Sequence, residues 1–148
     1  MSWISNKQII IPIDLTDFSA QGIRTSMEMA DDPENQLTIV YVLPPLESYD
    51  PGVHWESLNY VDRTESTKRS VALFLERNGL PALKIKILFG DPGREIVHYA
   101  NQEKIGLIVI PSHTRGTLSR WLLGSVTDYV LHHAPCPVLF LKRENSSR

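Results

Sequence analysis

The sequence predicts an α/β protein built around a five-stranded, mainly parallel sheet with helices on both faces. Five short apolar runs of strand length, rich in β-branched residues, alternate along the chain with segments of helical spacing. That order gives a parallel sheet with right-handed crossovers. At 148 residues the chain has the usual length of one domain and buries roughly two-thirds of the surface its unfolded form exposes. A single domain over residues 1–148 is therefore expected.

The first strand is the run Ile9 to Ile13. After it, Ala20, Ile23, Met27 and Ala30 share one helix face at steps of three and four. Leu37 to Leu43 is the second strand. The second helix runs from about Tyr60 to Arg77, with Val71, Phe74 and Leu75 turned inward and Gly79 placed to end it. Leu83 to Phe89 is the third strand. Asp91 then caps a third helix with Pro92 at its first position, and Ile96, Val97 and Ala100 form its inward stripe. Leu107 to Ile110 is the fourth strand. A fourth helix opens at Gly124 and Ser125 and must finish by Pro135, leaving Val138 to Leu141 as the fifth strand.

The strands differ in what they ask of their neighbours. Runs one, two and four are apolar on both sides of the pleat, which places them in the centre under helices on both faces. The third alternates Leu83, Ile85 and Ile87 with Lys84 and Lys86, the pattern of a guarded edge. The fifth, Val138, Leu139, Phe140 and Leu141, carries no charge. As the opposite edge it needs a cover, and a second copy of the same strand about a two-fold axis is the simplest one, so a homodimer is expected. The alternative is a monomer in which Lys142 and Arg143 suffice as gatekeepers.

Composition narrows the function. Hydrophobic residues make up 42% and charged residues 22%, which argues against disorder or a fibrous repeat. The formal net charge of -2 speaks against a nucleic-acid partner, which calls for a basic face. No secretory signal and no bilayer-spanning run is read, so no membrane partner is expected. Cys136 is the only cysteine, which excludes an internal disulfide and suits a reducing, cytoplasmic setting.

Two segments depart from the simple alternation. Pro44 to Asn59 is a long connection holding Tyr49 and Trp55, and loops of that length are usually functional or mobile. His113 to Leu123 mixes Arg115, Gly116 and Arg120 with apolar Trp121, Leu122 and Leu123. Glu144 to Arg148 reads as a frayed tail.

Ligands of open parallel sheets bind beyond the carboxyl ends of the strands, where the winding reverses. If strands one and four are central neighbours, Pro12, Asp14 and Thr16 meet Pro111, Ser112, His113, Thr114, Arg115 and Gly116 there. The last helix begins with Gly124 and Ser125, and a helix start presents unpaired N–H groups to an anion. A carboxylate suited to hydroxyl or amino groups opposite a donor-rich seat suggests a nucleotide.

These residues carry a resemblance. Ile9 to Asp14, Gly90–Asp91–Pro92, Ser112 to Gly116 with Leu118 to Val126, and His133 to Leu139 together resemble the universal stress protein family over nearly the whole chain. The resemblance implies a three-layer α/β/α sandwich of Rossmann-like, adenine-nucleotide alpha-hydrolase-like type, with sheet order 3-2-1-4-5. It also implies homodimer formation through strand five and a role in stress response. Members that bind ATP share GxxG, nine residues, then G and S or T; the four positions fall here on Pro111, Thr114, Gly124 and Ser125. Pro111 has no N–H and a fixed φ, and Thr114 adds a branched side chain. Asp14 and Val42 match positions that contact ribose and adenine in the family. The implied pocket is thus Pro12, Asp14, Thr16, Val42, the stretch from Pro111 to Arg115, Gly124, Ser125 and Val126, with AMP or ATP held weakly and Mg2+ only alongside ATP.

Each feature also has a plainer explanation. Asp14 is equally suited to capping the turn into the first helix. Ser125, with Asp128 three residues on, suffices as a helix cap. His113 has no identifiable nucleophile and orienting carboxylate, so no catalytic residue is assigned. His132 and His133 are neighbours that diverge on a helix, poor geometry for one metal, and no metal site is expected. Cys136 reads as a small buried hydrophobe. The leading expectation is a binding and signalling module; a partner-binding protein without nucleotide, using the surface around Tyr49, Trp55 and Tyr60, and a slow nucleotide hydrolase are the alternatives.

Overall fold

The computed structural model describes residues 2–45, 56–112 and 124–142. Strand β1 (Ile9–Pro12) leads into α1 (Asp17–Met29), followed by a short α2 (Pro33–Gln36), β2 (Leu37–Leu43), α3 (Glu56–Arg77), β3 (Lys84–Phe89), α4 (Pro92–Gln102), β4 (Leu107–Ser112), α5 (Gly124–His133) and β5 (Val138–Lys142). The sheet order is β3-β2-β1-β4-β5, and all four pairings are parallel rather than mainly so. The winding therefore reverses between β1 and β4, as the resemblance implied.

Burial follows the patterning. Every residue of β1 is buried, and Leu37, Ile39 and Val40 of β2 and Leu107 to Ile110 of β4 are closed off on both faces. One face packs Ile9, Ile11, Ile39 and Val109 against Ile23 of α1 and Val71 and Leu75 of α3. The other packs Ile10, Val40 and Ile108 against Ile96, Val97 and Ala100 of α4 and Val126 and Val130 of α5. Two helices per face make the three layers. On β3, Lys84 and Lys86 stay exposed, as an edge strand requires. On β5 all four apolar residues are half-buried, packed on the cores of both faces, with pairing to β4 alone among the described residues.

The helix ends obey local chemistry. Asp91 accepts a hydrogen bond from the Arg94 amide at 3.1 Å, with Pro92 next in the chain. Gly79 stands at φ 67 beyond the end of α3, the left-handed conformation that glycine adopts without penalty. Three expectations are corrected. Helix α3 starts at Glu56, one turn before the expected start near Tyr60, and within it Tyr60 lies edge-on to Phe89 at 4.7 Å. Helix α2 was not expected; four residues carry no periodic apolar face to announce it. Cys136 is half-buried, resting against the core beneath α4 and α5. Tyr49, Trp55 and the segment from Glu144 to Arg148 lie outside the described residues.

Candidate functional site

Because β1, β2 and β4 are parallel neighbours, their carboxyl ends share one edge of the sheet. Pro12 closes β1 with Asp14 just beyond it, Val42 lies near the end of β2, and Pro111 and Ser112 end β4. Helix α5 returns the chain from β4 to the parallel strand β5, so its start at Gly124 and Ser125 belongs to the same edge. The topology thus brings these residues to one side of the sheet. His113, Thr114 and Arg115 lie outside the described residues.

Asp14 is held by hydroxyl groups. Its Oδ1 accepts from Thr16 Oγ1 at 2.5 Å and from Ser19 Oγ at 2.7 Å, while its own amide donates to Ser19 Oγ at 3.2 Å. Thr16, not Asp14, is the N-cap of α1, accepting from the Ser19 amide at 3.4 Å. Asp14 therefore organises the turn between β1 and α1. Its carboxylate is half-buried and fixed in direction, which is what recognition of a hydroxyl or amine requires.

The remaining residues divide by where their side chains lie. Val42 and Val126 are both buried in the core beneath α4 and α5. Pro12 and Pro111 are buried as well. Ser125 is exposed and is the second residue of a helix that begins at Gly124, so it lies inside the first turn and not at the capping position. At the end of β2, Arg63 Nη2 donates to the Pro44 carbonyl at 3.2 Å and the guanidinium lies 5.3 Å over the Phe89 ring.

Sequence reasoning missed Ser19, Gly22 and Arg63. Ser19 holds Asp14 from five residues away, and a serine at that distance signals nothing by itself. Gly22 faces the Pro111 ring across the sheet, a tertiary contact. A groove of about 680 Å3 lies at the opposite, amino edge, between the end of α3 and the start of β3, and takes in none of the predicted site residues. His132 and His133 diverge as expected: His132 Nδ1 lies 2.8 Å from the Asp128 carbonyl, and the His133 ring lies against Tyr129 with centroids 4.2 Å apart and planes tilted by 41°. Among the described residues no group of three or more His, Cys, Asp or Glu is placed to hold a metal ion, and no helix is long and apolar enough to cross a membrane.

The doubly wound sheet, in the order β3-β2-β1-β4-β5, matches what the resemblance implied. A model of the Universal stress protein family matches residues 5–142. The chain belongs to the universal stress protein family. A universal stress protein of Methanocaldococcus jannaschii is 30% identical over 141 residues, which cover 93% of this chain and 82% of the relative. Among solved structures, the universal stress protein UspA from Lactobacillus plantarum has a TM-score of 0.60 at 26% identity, covering 93% of this chain and 98% of that one. A universal stress protein from Archaeoglobus fulgidus, solved in complex with dAMP, has a TM-score of 0.54 at 18% identity, covering 90% and 96%; this is a likeness of fold alone. Pro111, seated in β4, falls where the ATP-binding pattern given by the resemblance has its first glycine.

Proposed function

We propose that this universal stress protein is a non-catalytic stress-response binding module whose crevice at the carboxyl ends of β1, β2 and β4 takes the adenosine part of AMP or ATP and holds the phosphates weakly. The observation that carries the proposal is Asp14: its carboxylate is pinned by Thr16 and Ser19 at the point where the winding reverses. Gly124 and Ser125 keep the helix-start half of the phosphate seat, and Pro111 removes an amide donor from the other half. Mg2+ would enter only with ATP, through its phosphates.

The same proposal includes a homodimer through β5 and a cytoplasmic, single-domain protein. Val138, Leu139, Phe140 and Leu141 form an uncharged run of the edge strand β5, which ends on Lys142, and a two-fold copy would cover that run by continuing the sheet.

A ligand that binds only the native state raises its stability, so thermal unfolding of the purified chain in millimolar AMP, ATP and ATP with Mg2+ is the test. A rise in Tm that is lost in Asp14→Ala supports the crevice. An unchanged Tm with all three ligands defeats it and favours a protein that acts through partner contacts alone.

A further inference from the structure

Strand β3 closes one side of the sheet and pairs with β2 alone among the described residues. The Gly90 amide, just past its end, donates to the Leu43 carbonyl at 2.9 Å. In a parallel ladder alternate residues turn both N–H and C=O to the same neighbour. Lys84, Lys86 and Leu88 therefore share the direction of Gly90 and face β2, whereas Ile85, Ile87 and Phe89 turn their backbone groups to the open edge.

The two faces beside that edge differ in chemistry. Ile85, Ile87 and Phe89 point under α3 and join its core. Ala72 and Glu76 share one flank of α3 by helical spacing, while residue 78 faces α1, whose Arg24 donates to the Asn78 carbonyl at 2.7 Å. Ala72 and Glu76 thus overhang the open edge, and with Leu80, Pro81, Leu83 and Ile85 they line the groove of about 680 Å3. Glu76 is the only charged side chain in that lining. On the opposite face Lys84 and Lys86 are exposed. Lys84 Nζ donates to the Asn35 carbonyl at 2.9 Å and Lys86 Nζ lies 5.9 Å over the Tyr99 ring, so each ammonium keeps further N–H groups for a carboxylate.

We propose that the open edge of β3 is a docking site for an extended partner segment in which apolar and acidic residues alternate. Added as a further strand, such a segment takes up the outward backbone groups of Ile85, Ile87 and Phe89. Its apolar side chains enter the groove on the α3 face, and its carboxylates lie beside Lys84 and Lys86. A slip of one residue carries the carboxylates to Glu76 and the apolar side chains to the lysines, so the two faces fix the register together. The same lysines turn away a second copy of β3, which would set lysine against lysine. The edge is guarded against itself and open to an acidic strand. It shares no residue with the crevice beyond β1 and β4, so either site can fail alone.

The test is nuclear magnetic resonance titration of the full chain with two short, end-blocked peptides, one alternating valine with glutamate and one alternating valine with lysine. At about ten times its dissociation constant the glutamate peptide should slow hydrogen exchange of the Ile85, Ile87 and Phe89 amides about tenfold. The lysine peptide should bind about tenfold more weakly, the scale of a few cross-strand charge pairs. Lys84→Glu combined with Lys86→Glu, both at exposed positions, should reverse that preference with the fold retained. Equal binding of the two peptides, binding that leaves the three amides unprotected, or no binding of the glutamate peptide overturns the site. Protection that grows with the protein's own concentration in the absence of peptide puts a second copy on β3 and overturns it as well.

Discussion

The ring of Pro111 occupies the space beside Gly22 so closely that a β-carbon at residue 22 would lie 2.6 Å from its Cγ and 3.1 Å from its Cβ. Strand β4 and helix α1 touch there through a proline ring and a bare backbone, and the ring has no flexible end to swing aside. In an unhindered helix interior, glycine to alanine would gain roughly 0.5–1 kcal/mol. Here Gly22→Ala should instead destabilise by about 1–3 kcal/mol, because it overpacks a closed interface. Adding Pro111→Ala should recover most of that loss, and a double-mutant cycle from urea unfolding measures the coupling. Additive effects of the two changes would contradict the contact.

Gln36 is buried and ties the N-terminal turn to the start of α2. Its Nε2 donates to the Ile4 carbonyl at 3.1 Å and the Lys7 carbonyl at 3.0 Å, and its Oε1 accepts from the Asp32 amide at 2.7 Å. Gln36→Ala leaves these groups without their partner, which should cost about 1–3 kcal/mol. Hydrogen exchange should then show loss of protection at Asp32 before any change in the central strands. Unaltered exchange at Asp32 would count against this tie.

Cys136 sets a pH dependence. Burial pushes its thiol above the ordinary range, against smaller lowering effects from a hydrogen bond with the Ile108 backbone and from the Lys7 ammonium. A raised folded-state pKa means the unfolded chain loses its proton first. The contribution to stability is therefore fully present below the ordinary thiol range and is lost as pH rises through the raised value. Cys136→Ala should flatten the alkaline decline in unfolding free energy, and the native thiol should alkylate more slowly than in the denatured chain. Equal alkylation rates in the two states would remove the basis for both expectations.

The uncharged edge gives a prediction on assembly. Phe140 is half-buried on β5, and a lysine there introduces a charge at the centre of the proposed strand-to-strand joint. Sedimentation should find a dimer for the natural chain and a monomer for Phe140→Lys, with the far-ultraviolet circular dichroism retained. A natural chain that sediments as a monomer would rule out the joint.

Much of the fold was legible because each element carries its own local signal. Asp91 followed by Pro92 announced α4, and the Lys84 and Lys86 alternation announced an edge. Asp32 followed by Pro33 is the same signal, yet α2 escaped notice because four residues cannot show a helical period. The fourth strand was read as ending at Ile110, the last residue of its apolar run. It continues to Ser112 because Ile108 donates toward β5, to the Pro137 carbonyl at 3.1 Å, and alternation turns residue 111 the other way, where no amide is required.

The site was legible in part. Asp14 and Val42 were singled out by likeness to a family pattern, and the structure adds what sequence spacing could not: the hydroxyls of Thr16 and Ser19 that aim the carboxylate. Gly22 as the seat of Pro111 depends on two residues 89 positions apart by their numbers (111 − 22) meeting across the sheet, which no local pattern encodes.

The most direct measurement of the central claim is a crystal of the full chain grown with AMP. The account predicts adenosine density across the carboxyl ends of β1 and β4, with a ligand hydroxyl or amine on the Asp14 carboxylate and the phosphate less ordered than the nucleoside. Density confined to another surface, or an empty crevice at saturating AMP, would contradict it.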